Sequence, residues 1–363
     1  MRNLTHLAEF EALLNHMVSI GASDMHLSVN TAPVIRLHGL TEPRAELERL
    51  TDVILQSYAN AILSTEQLAT LQQRRSCDLG YTSDQHHRFR INVYYERGSM
   101  AFAVRWLDGQ FYSYEKLNLP PQIGELVKLK DGLVLVTGAT GSGKSTTLAT
   151  LINEINENRA CHILTIEDPI EFIHNHRKAV VHQREVGVDV PSFAEAIRNA
   201  MREDPDVILL GEMRDLETMH AAITAAETGH LVFATLHTND AVGVIDRLIG
   251  MFPGEEQNTI RQQLSMALRA VVTQTLVRKA EGTGRVPVNE ILIVNGAVSH
   301  LIREHNPSQI RSMMETGRAL GNQTFEYALA KRVHERLITR EQALYLTARK
   351  EQFEASLRML GTR

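Results

Sequence analysis

The run Gly138-Ala139-Thr140-Gly141-Ser142-Gly143-Lys144-Ser145 has the spacing GxxxxGK[ST], and Thr146 follows it. Such a run is a phosphate cradle. Its glycines let backbone N–H groups turn inward onto anionic oxygens, and a helix starting at the lysine adds partial positive charge there. Lys144 would bridge the β- and γ-phosphates of ATP, and Ser145 would offer a hydroxyl to Mg²⁺. The flanks agree, since Leu133 to Val136 reads as a buried strand and Thr146 to Asn156 is helix-compatible.

Two acidic positions could complete a hydrolytic site. In Ile163-Leu164-Thr165-Ile166-Glu167-Asp168-Pro169 the acids follow an apolar strand, where ligands sit in open α/β sheets. Glu167 there suits a water-activating carboxylate, and a solvated turn stopped by Pro169 reads equally well. Val207-Ile208-Leu209-Leu210-Gly211-Glu212 is a second buried strand ending in an acid, the form of a Walker B element. Because Glu212 stands where many P-loop proteins carry Asp, water-mediated contact with Mg²⁺ is the better expectation than direct ligation. His230 and His237 flank the apolar run Leu231 to Ala234. Beside a buried strand, a hydrogen-bonded core role is the commoner one for histidine, with catalysis the alternative. Arg90 and Arg105 lie in strand-like segments, and Arg198 and Arg202, four apart, would share one helix face. By pattern alone these arginines are surface ion-pair formers; a functional role needs a γ-phosphate nearby.

The elements that must position these residues fall into two textures. The 363 residues suggest about two domains. Residues 1–112 read as α+β. Leu4, Leu7, Phe10, Leu14 and Met17 make one helical stripe ending before Gly21, and strands follow over Val34–His38, Arg88–Tyr94 and Met100–Arg105, with Leu47 to Arg74 read as helix. Residues 113–127, with the breaker Asn118-Leu119-Pro120-Pro121, read as a linker. Over 128–290, short apolar runs alternate with helix-compatible segments, as in a parallel sheet covered on both faces. Residues 291–363 read as helical, with Thr339-Arg340-Glu341-Gln342 as a capping box.

Composition narrows the function. With 43% hydrophobic and 22% charged residues the chain is globular, and a formal charge of −5 lacks the positive field that drives phosphate-backbone binding. Nucleic acid is therefore not expected as a direct partner. The two cysteines are too few for a disulfide framework or a thiolate zinc cage, in keeping with a reducing compartment. No signal peptide and no transmembrane run is read, so a membrane role would pass through a partner.

Together these segments resemble the type IV pilus retraction ATPases, the PilT and PilU branch of the type II/IV secretion ATPase superfamily. The likeness rests on Gly21-Ala22-Ser23-Asp24-Met25-His26-Leu27, the phosphate loop, Leu164 to Phe172 (the Asp box) and Gln183-Arg184-Glu185-Val186-Gly187. It continues in Arg202-Glu203-Asp204-Pro205-Asp206, Gly211-Glu212-Met213-Arg214-Asp215 (Walker B) and Ala225 to Thr238 (the His box). The resemblance implies a PAS-like N-terminal domain joined to a RecA-like ATPase domain. It further implies a cytoplasmic homo-hexamer, peripheral at the inner membrane, acting on the pilus platform protein. It assigns Glu167 as general base, Glu212 as the Walker B acid, His230 and His237 as His-box residues, and Arg90, Arg105, Arg198 and Arg202 as nucleotide-sensing arginines. No cysteine stands in Arg278–Arg285, where assembly-type relatives carry paired CxxC motifs, which argues for retraction. The retraction motif that typically reads AIRNLIRE appears as Ala297-Val298-Ser299-His300-Leu301-Ile302-Arg303-Glu304, with only its second half kept. An accessory motor working beside a second retraction ATPase, or a conjugation-like or DotB-like secretion ATPase, are the alternatives.

Overall fold

The structure, a computed structural model, describes residues 4–37 and 40–361. The chain divides into two compact units. One runs to Gln110 and includes Pro169–Ile173; the other comprises Phe111–Asp168 and the chain from His174 onward. A single break after residue 112 therefore misses a second crossing, because five residues just beyond Asp168 cluster with the first unit. The helical region after 290 belongs to the second unit rather than standing apart.

The first unit opens with α1 (Leu4–Ser19), whose Phe10, Leu14 and Met17 are fully buried. Gly21, at φ +70°, ends the turn, and the Ala22 N–H returns to the Met17 carbonyl at 3.0 Å. β1 (Asp24–Leu27), β2 (Val34–Leu37) and β3 (Leu40–Pro43) follow, with His38 outside the described residues. The expected helix from Leu47 to Arg74 is two, α2 (Asp52–Ile62) and α3 (Thr65–Arg74). Leu63 is extended and Ser64 starts a fresh helix, its capping box closed with Gln67. β4 (Ser76–Thr82), β5 (Arg88–Glu96) and β6 (Ser99–Leu107) complete a six-stranded sheet of order β3-β2-β1-β6-β5-β4, antiparallel throughout. Phe89, Ile91 and Val93 alternate into the core while Arg88, Arg90 and Asn92 take the other face.

The second unit is α/β, as the alternating runs predict. After the short α4 (Pro121–Glu125) come β7 (Gly132–Thr137), α5 (Lys144–Asn158), β8 (His162–Glu167), β9 (Val180–Glu185) and α6 (Phe193–Ala200). β10 (Val207–Leu210), α7 (Leu216–Glu227), β11 (Leu231–Leu236), α8 (Gly243–Gly250), α9 (Gln257–Ala267), β12 (Leu268–Arg278) and β13 (Arg285–Ile293) follow. The seven strands run β13-β12-β7-β11-β10-β8-β9, parallel except for the β12–β13 hairpin. Both faces are covered. Leu133 and Leu135 of β7 pack into one cluster with α7 and α9, and Val134 and Val136 into another with Leu148, Leu151 and Ile155 of α5. That double burial is why these strands read as continuous apolar runs.

The chain ends in α10 (Gly296–Arg303), α11 (Pro307–Thr316), α12 (Phe325–His334), α13 (Arg340–Leu346) and α14 (Lys350–Met359). Thr339 and Gln342 form the expected capping box. α10 buries Val298 and Ile302 and leaves Arg303 and Glu304 exposed. Cys77 and Cys161 are both free thiols, and among the described residues no helix is long and apolar enough to cross a membrane.

Candidate nucleotide site

β7 feeds straight into the phosphate loop, and α5 begins at Lys144. Gly138, Gly141 and Gly143 all have positive φ, a region closed to most side chains. Gly143 at φ +86° is the residue before the helix, so the loop turns into α5 with its first N–H groups unbonded by any cap side chain. Ala139, Thr140, Gly141 and Ser145 are exposed, so the loop mouth is open to solvent, while Thr146 is half-buried. Lys144 is buried, its Nζ donating to the Gly138 and Ala139 carbonyls at 2.8 and 3.1 Å. The ammonium is thus held at the loop rather than projected into water.

Strand order brings the remaining residues alongside. β11 lies next to β7 with Leu236 opposite Thr137, β10 next to β11, and β8 next to β10. Their carboxyl ends carry His237, Glu212 and Glu167 in that order away from the loop, the arrangement expected of ligand sites in parallel sheets. His237 Nε2 lies 2.9 Å from Glu212 Oε1, and Arg214 Nη2 lies 2.7 Å from Oε2. Partial burial alone would raise the Glu212 carboxyl, but the Arg214 and His237 contacts prevail and hold it below the usual range, so it is ionised. Arg247 donates to the His237 carbonyl at 3.0 Å, fixing that loop in turn. Glu167 is held by neutral partners: Oε1 accepts from the Thr165 hydroxyl at 2.7 Å and from Gln183 Nε2 at 3.2 Å. A Cβ on Gly211 would sit 3.3 Å from the Glu167 Cα, a tight contact between the two strand ends.

β11 separates His230 from His237. His230 sits at the amino end of the strand, away from the loop, with Nδ1 at 2.9 Å from the Ala225 carbonyl. Arg198 and Arg202 do not share a helix face, because α6 stops at Ala200; Arg198 pairs with Glu217 at 2.9 Å and Arg202 donates to Asn199 at 3.3 Å. Thr165, Gln183 and Arg214 join the site although sequence pattern gives them no role in it. Arg214 had a signal, sitting two residues from the Walker B acid, whereas Gln183 reaches Glu167 only through the β8–β9 pairing that sets it opposite Thr165.

In the first unit, Arg90 and Arg105 are directly opposite on β5 and β6, and Asp24 is opposite both Arg105 and Arg36. Arg105 Nε donates to Asp24 Oδ1 at 2.8 Å, while Arg90 lies 3.9 Å from Asp78. Burial opposes the charge on Asp24, but the Ser23 hydroxyl and the Arg105 and Arg36 guanidinium groups hold its carboxyl below the usual range.

A glycine-lined loop between a buried strand and a helix, with acids ending adjoining parallel strands, defines a P-loop nucleotide-binding protein. The model of the type II/IV secretion system protein family matches residues 101–362. The type IV pilus retraction ATPase PilT of Pseudomonas aeruginosa is 43% identical over 91% of this chain and 96% of its own. The type IV pilus ATPase PilU of the same organism is 36% identical over 93% of this chain and 88% of its own. A crystal structure of the pilus retraction motor PilT with bound ADP superposes with a TM-score of 0.88 at 43% identity, covering 95% of this chain and 98% of that one. The chain belongs to the type II/IV secretion system protein family, on its pilus retraction ATPase branch, and is an ATPase.

Proposed function

We propose that the chain is the ATP-hydrolysing subunit of a homo-hexameric motor that retracts type IV pili by acting on an inner-membrane platform protein from the cytoplasmic side. The observation that carries this is the near full-length similarity to a retraction ATPase, 91% of this chain and 96% of the relative. ATP would occupy the Gly138–Thr146 loop, with Lys144 neutralising the β- and γ-oxygens. Glu167 would orient the attacking water and take its proton. Mg²⁺ bound with ATP would add charge neutralisation, held by the Ser145 hydroxyl and, through water, by Glu212, whose two oxygens already accept from His237 and Arg214. His237 belongs to this set and His230 does not.

Arg90 and Arg105 would receive the transferring phosphoryl group. Like charges directly across a strand pair are unfavourable unless an anion answers them; Arg105 has Asp24 at 2.8 Å, whereas Asp78 lies 3.9 Å from Arg90. Arg198 and Arg202 are the remaining candidates. Loss of the γ-phosphate would remove the group that the arginines hold. Deleting the gene and complementing it tests the reading: surplus, non-retracting pili with lost twitching support retraction, whereas absent pili would assign assembly. The altered Val298-Ser299-His300 bears on one variant of this reading, an accessory motor that would restore twitching only beside a second retraction ATPase. Rescue of a strain lacking both motors would exclude that variant.

A further inference from the structure

Behind the phosphate loop lies a buried polar cluster contributed by the β12–β13 hairpin. Thr273 is the last β12 residue paired with β7, opposite Thr137, and their hydroxyls are 2.8 Å apart. Gln274, one step further, lies against the loop itself. A Cβ on Gly138 would come 2.3 Å from the Gln274 carbonyl oxygen, and one on Gly143 would come 2.8 Å from Gln274 Nε2. Gln274 is only 2% exposed, and both the nitrogen and the oxygen of its amide are engaged. Nε2 donates to the Ser142 carbonyl at 2.7 Å, while Oε1 accepts from the Thr147 hydroxyl and from Asn289 Nδ2, each at 2.9 Å. Since a carbonyl can only accept, the Ser142 oxygen dictates which way this amide faces.

We propose that Gln274 is a positioning residue of the nucleotide site, orienting the Ser142–Gly143 peptide for phosphate. In a trans peptide the C=O and the following N–H point in opposite directions. Fixing the Ser142 oxygen at the back of the loop therefore turns the Gly143 N–H toward its front, where an anion binds. Thr147, in the first turn of α5, and Asn289, on β13, hold the other end of the amide, so the loop, the helix and the hairpin share one brace. Freed of that brace, the carbonyl could rotate forward and place a partial negative charge where phosphate must sit. The inference rests on reading this loop as the nucleotide site, and it adds a residue that the phosphate-loop motif does not contain.

The test uses the full-length protein and two substitutions. Gln274→Glu keeps the size and both acceptor contacts but sets a carboxylate oxygen against the Ser142 carbonyl; Gln274→Met removes the donor without burying a charge. Both should raise the dissociation constant for mant-ADP and the KM for ATP at least tenfold, with kcat falling less than threefold. A purely structural role would reduce the amount of active enzyme, so kcat would drop at unchanged KM. That result, or unchanged mant-ADP affinity in either variant, overturns the proposal. Should both variants be insoluble, Thr147→Val, which removes one donor to Oε1, must raise KM about threefold, and an unchanged KM overturns it equally. Wild-type protein that binds no mant-ADP would overturn the nucleotide-site reading and this inference with it.

Discussion

Glu167 and Glu212 end neighbouring strands, yet their surroundings separate their work. Glu212 has one cationic group and one histidine on its two oxygens, which keeps it ionised and occupied. On Glu167, Oε1 accepts from the neutral Thr165 hydroxyl and Gln183 amide, which fix its direction. Glu167→Gln should therefore retain nucleotide binding and lose turnover by roughly 10²-fold or more, as removal of a general base typically does; near-normal turnover would move the base elsewhere. The histidines offer a matched pair of controls. His237→Ala takes away a partner of Glu212 and should lower kcat about tenfold, the usual cost of losing a residue that orients an acid near a metal. His230→Ala, at the far end of β11, should stay within about twofold, since changes away from packing and site features are mild. Equal losses in the two would return His230 to the site.

At the scale of elements, the phosphate loop works because β12 supports it. Gly138 has φ +139° and no room for a Cβ beside the Gln274 carbonyl, so Gly138→Ala should cost about 1–3 kcal/mol through backbone strain and abolish mant-ADP binding. Thermal unfolding and fluorescence titration would read the two effects. α10 is the opposite case. Val298 and Ile302 anchor it while Arg303 faces solvent, so Arg303→Ala should change stability by under ~0.5 kcal/mol. If α10 passes force to the platform, that variant hydrolyses ATP but does not twitch; parallel loss of turnover would make the helix structural.

For the whole molecule, two buried titrating groups pull against each other. Burial pushes His174 down to about 4, so it is neutral in the fold, and the stability it supports is lost as pH falls from 6.5 toward 4. Burial pushes Glu290 up to about 7, despite the Ala241 N–H and Arg311 that favour its charge, so its contribution is lost as pH rises from 4.5 toward 7. Between 4.5 and 6.5 the two slopes oppose. Glu290→Gln removes one of them, and its Tm should climb with pH through that window more steeply than the wild type's; parallel profiles would refute this. The same scale decides how to test the arginines. A chain beginning at Phe111 would strip Pro169–Ile173 of the unit it clusters with, so Arg90→Ala and Arg105→Ala belong in the full chain, where each should cut turnover.

By itself the sequence determined whatever depends on neighbours along the chain. The phosphate loop is contiguous, the acids at 167 and 212 follow their own apolar runs, and the caps at Thr339 and the break at Gly21 are local chemistry. Period and capping specify an element before it meets any other. Tertiary structure decided which ends meet. Strand direction and length sent His237 to the loop and His230 away from it, register set Arg90 against Arg105, and β8–β9 pairing brought Gln183 to Glu167. Gln274 lies 132 residues beyond the Ser142 it braces. No local pattern encodes that contact, because it exists only once β12 has paired in parallel with β7 and buried an amide whose partners must all be found inside the protein.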